Sequence, residues 1–201
     1  MFRYLITKGG NISSYLMSLL LTLPIILLSL SVHEASHAWM ANKLGDPTAR
    51  NLGRLTLNPF KHLDLVGFIC MLLFGFGWAN PVPVNSRYFK KPRRDMALTA
   101  AAGPLSNIVL GFIFVSLYEI SYLLTVRLFP SVAASAPMVI YVWLTFLQMG
   151  AELNVYLAVF NLIPVPPLDG SRLFYIFLPV KWYFGIMRYE KYISIALFAL
   201  L

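Results

Sequence analysis

The sequence predicts an all-α polytopic membrane protein with three long spans and one short re-entrant helix, and three observations carry that reading. Of its 201 residues, 59% are hydrophobic and only 12% are charged, against about one half and one quarter in soluble domains. Mean hydropathy is +0.71, and the apolar residues gather into runs long enough to cross a hydrocarbon core of about 30 Å. Sixteen Lys and Arg against eight Asp and Glu leave a net charge of +8. These cations stand between the apolar runs, so they read as topology signals and contacts with the lipid bilayer, and no nucleic acid is implied. The single cysteine, Cys70, excludes an intrachain disulfide and reads as a small buried hydrophobe. Residues 1–201 form one integral-membrane domain, without internal repeat or low-complexity linker.

The first span covers residues 15–40, about 39 Å of helix. Arg3 and Lys8 before it imitate a secretory signal, but the apolar stretch is too long and runs into polar residues, so it is retained. Pro24 inside it predicts a kink. After the stop signal Gly45-Asp46-Pro47, residues 48–57 (TARNLGRLTL) alternate weakly and predict a short strand. Residues 64–79 are slightly short for a span and predict a re-entrant helix. Residues 81–86 (PVPVNS) predict a second strand, confined by its prolines to an edge. Beyond the basic cluster Arg87, Lys90, Lys91, Arg93 and Arg94 come the second span, 96–126, and the third, 138–162. Gly103-Pro104 and Asn107 on the second are unusual facing lipid and predict a protein-packed face. The third ends in Asn161-Leu162-Ile163-Pro164-Val165-Pro166-Pro167-Leu168-Asp169-Gly170, where prolines break the backbone, and broken backbone at membrane depth lines sites. The C-terminal segments, 173–201, are too short to cross individually. The chain stops inside an apolar run, from which a missing final helix is expected.

Charge sets the expected orientation. With 64–79 re-entrant, nine basic residues of the flanking loops share one side and three face the other. If the segment crosses, the split is seven against five. The first is the cleaner asymmetry, placing the N-terminus outside and residues 42–95 at the cytoplasmic face.

His33-Glu34-Ala35-Ser36-His37 carries the chemistry. On a helix, imidazoles at i and i+4 share a face and can both reach one Zn²⁺. Glu34 beside them can take a proton from water acidified by the ion and pass it to a leaving amine. With 3 His and 4 Glu in the chain, chance produces this pattern in roughly one such sequence in a thousand. Histidines that merely bond neighbouring helices are the bland alternative, but two His and a Glu in an apolar span are costly without a purpose. His33 and His37 lie about 13 and 7 Å along the helix from Asn42, inside the bilayer near its cytoplasmic end.

A third ligand is needed, and Glu119, Glu152, Asp169 and His62 are the candidates. Depth favours Asp169, at the cytoplasmic end of the third span, over a simple helix-capping role for it. Glu152 lies nearer mid-membrane and ranks second. His62 follows Lys61 at an interface, where an exposed histidine is commonplace.

HEASH on the first span, AAGPLSN at 101–107 and NLIPVPPLDG at 161–170 together resemble the site-2 protease family of intramembrane zinc metalloproteases. GRLTLNPFKHLD and NPVPVN resemble its small bacterial members, so the likeness extends to about Arg172. The resemblance implies a three-helix catalytic core made of the three spans, and a small membrane-associated β-hairpin from the two strand candidates. It implies His33, His37 and Asp169 as ligands of one Zn²⁺ per chain and Glu34 as the catalytic residue. Asn161 matches a position associated with substrate or oxyanion, its other role being to satisfy carbonyls freed by the prolines. Asn107 matches a packing or hydrogen-bonding position. The expected activity is hydrolysis of peptide bonds in transmembrane protein substrates, in the bacterial cytoplasmic membrane, with a homo-oligomer left open. Competing readings are a zinc transporter or sensor, which has no need of Glu34, and a prenyl-peptide endoprotease with a glutamate such as Glu152 as third ligand.

Overall fold

The computed structural model describes residues 12–74, 77–178 and 189–197. Three long helices dominate it: α1 (Ile12–Lys43), α4 (Pro92–Tyr122, continued by a wider π-helical turn Leu123–Leu128) and α6 (Pro137–Asn161). They match the expected spans, each beginning earlier, by three, four and one residues, and the third ending one residue short. The sequence supplies the stops: Gly45 takes φ +108° after α1, and α4 and α6 each begin on proline, whose missing N–H costs nothing at a helix start. Pro24 and Pro104 lie inside α1 and α4.

Helix α4 is central and packs against both α1 and α6, which touch each other far less. Toward one end of the α4–α6 seam, Phe114, Leu147 and Ala151 form an apolar cluster flanked by Leu110, Tyr118 and Phe146. Toward the other, the buried side chains turn polar: Ser29, Asn107 and Asn154 are fully enclosed. Only 22, 11 and 17% of the most apolar windows of the three helices is buried within the protein. Leu20, Phe112, Val139 and Tyr156 point outward, the surface expected of helices that face lipid.

The connection from α1 to α4 holds two corrections. Residues 48–57 are not a strand. Thr48–Asn51 forms a helical turn, α2, begun where Asp46 accepts the Thr48 backbone N–H at 3.0 Å. It ends where Gly53 takes φ +67°, its N–H reaching the Arg50 carbonyl while the Arg54 N–H reaches that of Ala49. That pair of bonds is the glycine-dependent helix end, and local capping overrides weak alternation. Residues 81–85 have no regular structure, and the stretch turns at Ser86–Tyr88 and pairs with no strand. Among the described residues the β-hairpin is absent, and a single antiparallel bridge, Leu63 to Ala79, takes its place.

That bridge closes the neck of the next segment. Helix α3 (Leu65–Phe74) is ten residues long, about 15 Å and too short to cross. The Asp64 carboxylate accepts the Gly67 N–H at 2.8 Å at its start, and the Asn80 N–H meets the His62 carbonyl at 2.7 Å where the chain returns. Beyond α4, a short helix α5 (Pro130–Ser135) leads into α6, and α7 (Asp169–Phe174) follows the proline-rich break. Of the C-terminal segments, residues 189–197 are helical, and 179–188 and 198–201 lie outside the described residues.

Candidate metal centre

His33 and His37 lie one turn apart on α1, facing α4, with their rings edge-on at 4.6 Å. Asp169 enters from the first turn of α7. The cap position there is Leu168, which makes no side-chain cap bond, so the carboxylate is turned away from capping and toward the imidazoles. Its Oδ2 stands 3.1 Å from His33 Nε2 and 3.2 Å from His37 Nε2, and the two Nε2 atoms are 3.0 Å apart. A tetrahedral ion with ligand bonds of about 2.05 Å has ligand-to-ligand edges of about 3.3 Å. The triangle has that size.

The protons make the same case. His37 Nδ1 donates to the Thr99 carbonyl at 2.7 Å, an atom that can only accept. His33 Nδ1 donates to Asn107 Oδ1. With both protons on Nδ1, the neutral rings present lone pairs at Nε2, and these converge with a carboxylate oxygen. Three acceptors face one another, and a cation is what satisfies them. The pattern of ligand Nε2 and anchored Nδ1 is the usual support of a metal-binding histidine. Ligation requires Asp169 ionised and both imidazoles neutral.

Space around the imidazoles is made by Gly103. A Cβ there would lie 2.4 Å from His37 Nε2 and 2.7 Å from the Cε1 of His33, so α4 approaches as closely as it does only with glycine at this position.

Glu34 sits beside the triangle, nearly buried, and its Oε2 accepts the Val82 backbone N–H at 2.9 Å. In Pro81-Val82-Pro83 that is the one N–H available, because proline has none. The stretch is held from behind by Arg54, whose guanidinium donates to the carbonyls of Asn80 (2.5 Å) and Pro81 (3.1 Å). Between these parts opens a cavity of about 310 Å³, walled by the three candidate ligands, Glu34, Val82, Val84, Asn161 and Arg172 among others.

The residues anticipated from sequence are therefore brought together with one adjustment. Asn161 lines the cavity, but its amide N–H is directed to the Leu157 carbonyl of its own helix at 2.9 Å. Asn107 takes the hydrogen-bonding position. The other third-ligand candidates stand apart: Glu119 is exposed, and Glu152 is exposed and bonded to Gln148. His62 is not an exposed interfacial residue but is buried, bonding the Thr56 carbonyl at 2.8 Å, which leaves it part of the loop rather than of the centre. The Thr99 carbonyl, the Val82 N–H and Asn154 were not anticipated. The first two are backbone groups and leave no mark in side-chain identity; Asn154 did, as an amide within an apolar span.

Comparison with known proteins agrees. Residues 21–201 match the model of peptidase family M50. Relatives named "Putative zinc metalloprotease" are similar to it. YwhC of Bacillus subtilis is 43% identical over 148 residues, 74% of this chain and 64% of that one. Rip2 of Mycolicibacterium smegmatis is 31% identical over 149 residues, 72% and 52% of the two chains. MJ0611 of Methanocaldococcus jannaschii is 29% identical over 118 residues, 59% and 50%. The chain thus spans about half to two thirds of the length of these relatives. No solved structure matches it significantly. Three helices among the described residues are long and apolar enough to cross, and together with bacterial relatives they mark a multi-pass bacterial membrane protein.

Proposed function

The chain belongs to peptidase family M50, and from that premise we propose that it is a zinc-dependent endopeptidase that cleaves membrane-protein substrates within or near their transmembrane helices. The observation that carries the proposal is the triangle of His33 Nε2, His37 Nε2 and Asp169 Oδ2, set beside Glu34 in a cavity among helices apolar enough to span. One Zn²⁺ per chain fits this donor set. When bound, zinc supplies a Lewis acid for the scissile carbonyl and makes a neighbouring water acidic near pH 7.

The protein's own groups do the rest. Glu34 takes the proton from the attacking water and returns it to the leaving amine, and the Val82 N–H on Oε2 fixes its orientation. Thr99 and Asn107 hold the imidazoles in place. The walls of the cavity limit the water that reaches the bond. A substrate helix hides its peptide groups, so it must unwind before cleavage, and the stretch 81–84, without regular structure or a strand partner among the described residues, offers an edge beside which an unwound segment can lie. Residues 48–57, being a helical turn and loop, do not. Substrates with helix-breaking residues near the cut are favoured, because unwinding costs them less.

The test is zinc content together with cleavage of a panel of model transmembrane peptides by the purified chain. Glu34→Gln should retain zinc and lose cleavage; Asp169→Ala should lose both. Stoichiometric zinc with no peptide cleaved, and metal flux through liposomes that survives Glu34→Gln, would replace the protease by a transporter.

A further inference from the structure

Behind the centre runs a closed chain of buried amides that reaches the third long helix. Asn154 on α6 donates to the Gly150 carbonyl at 2.8 Å and to the Ser29 hydroxyl at 2.9 Å. Its Oδ1 accepts from Asn107 Nδ2 at 2.8 Å, and Asn107 Oδ1 accepts from His33 Nδ1. Asn107, Asn154 and Ser29 are each wholly excluded from solvent. We propose that Asn154 is a positioning residue which, acting through Asn107, dictates the ring nitrogen of His33 that carries the proton and so keeps Nε2 open toward the metal. The proposal rests on the reading of the triangle as a metal site.

The direction of every bond follows from one atom. The Gly150 carbonyl can only accept, so the amide nitrogen of Asn154 must face it. The oxygen of Asn154 then faces Asn107, which must present its own nitrogen, and that nitrogen also points at the Ser29 carbonyl at 3.4 Å. The oxygen of Asn107 is thereby left for His33 Nδ1, which has to be the protonated nitrogen. Reversing Asn107 would put an amide N–H against Nδ1, move the ring proton to Nε2, and aim that proton at the triangle. With Asn154 present, reversal would set two amide oxygens against each other in a buried site, where an unpaired polar contact is costly. Without Asn154 only the long contact to the Ser29 carbonyl, at 3.4 Å, still opposes reversal. A structural asparagine that merely ties α6 to α1 would need its bond to Ser29, but not the one to Asn107.

The experiment compares wild type, Asn154→Leu and Leu147→Ala as purified 201-residue chains in detergent. Zinc affinity is measured by competition with a chromogenic chelator, and the proton position on His33 by nitrogen NMR of the metal-free, histidine-labelled protein. Asn154→Leu should weaken zinc binding about tenfold, the lower end for loss of a ligand's hydrogen-bonding support, and should shift the His33 proton from Nδ1 toward Nε2. Leu147→Ala removes packing from the apolar cluster on the same helix and should leave both unchanged. Zinc affinity within twofold of wild type in Asn154→Leu would overturn the proposal, as would weakened binding with the proton still on Nδ1, which would reduce Asn154 to a packing role. If Asn154→Leu does not fold, Asn154→Ser, which keeps a small polar group but cannot bridge Gly150 and Asn107, takes its place under the same criteria. Wild type that binds no zinc would remove the metal reading itself, and the His33 proton position would still decide whether the chain of amides operates.

Discussion

The seam between α4 and α6 carries two kinds of packing on one pair of helices. Seven residues, about 10 Å of helix, separate Asn107 from Phe114, and the same interval separates Leu147 from Asn154. One layer is closed by aromatic and aliphatic contact, the other by amides whose donors and acceptors are all matched. Between helices in lipid, apolar contact gains little from the hydrophobic effect and holds by fit alone. The amide layer holds by fit and by direction, because each group has one orientation that satisfies its neighbours. The apolar layer can therefore relax around a change, whereas the polar layer transmits it to the imidazoles.

Substitutions along the seam test that contrast. The largest effect belongs to Gly103→Ala. The added methyl falls 2.4 Å from His37 Nε2, and the ring cannot retreat without losing its bond to the Thr99 carbonyl. Zinc content of the purified variant should fall below about a tenth of wild type while its circular dichroism keeps the helical signal. Retained zinc would mean that the polar layer yields as easily as the apolar one. Phe114→Ala comes next: it empties the centre of the apolar cluster, and thermal unfolding should register a loss of about 3 kcal/mol, with zinc affinity unchanged in the folded protein. A parallel drop in zinc affinity would show the two layers to be coupled. Gly111→Ala is the smallest. It lies between the layers, where a Cβ would stand 3.4 Å from Asn154 Cβ and 3.6 Å from the Ala151 carbonyl, an ordinary contact. Relief of glycine's backbone entropy should then leave stability equal or raised by about 0.5 kcal/mol, as read by the shift in melting temperature.

The two layers also differ in how far they could be read from sequence. The long helices follow from apolar length, since in lipid the backbone has few alternatives to a helix. His33, Glu34 and His37 follow from spacing on one such helix, and Asp169 from its depth at the end of another. Gly103, Pro104 and Asn107 were marked as a protein-facing group, because each is costly toward lipid. Asn154 is an amide of the same kind within an apolar span but was not singled out, and only the folded chain shows what it meets. The loop between α1 and α4 resisted for a different reason. Its form rests on local capping by Asp46 and Gly53, on the buried His62, and on Arg54 reaching 26 and 27 residues forward to two carbonyls. Contacts of that kind leave no periodicity, and a weak alternation of side chains was the misleading signal at 48–57.

The closed neck at Leu63 and Ala79 has a consequence of its own. A loop pinched at its base can change in length and content while the chain on either side keeps its register, since the entropic cost of extra residues grows only with the logarithm of length. The segment between Leu63 and Ala79 is closed at such a base, and two positions after Ala79, at Pro81, the cavity wall has already resumed. Variation confined to that loop leaves the Val82 N–H seated on Glu34. The loop and the chemistry can thus diversify at separate rates within one chain.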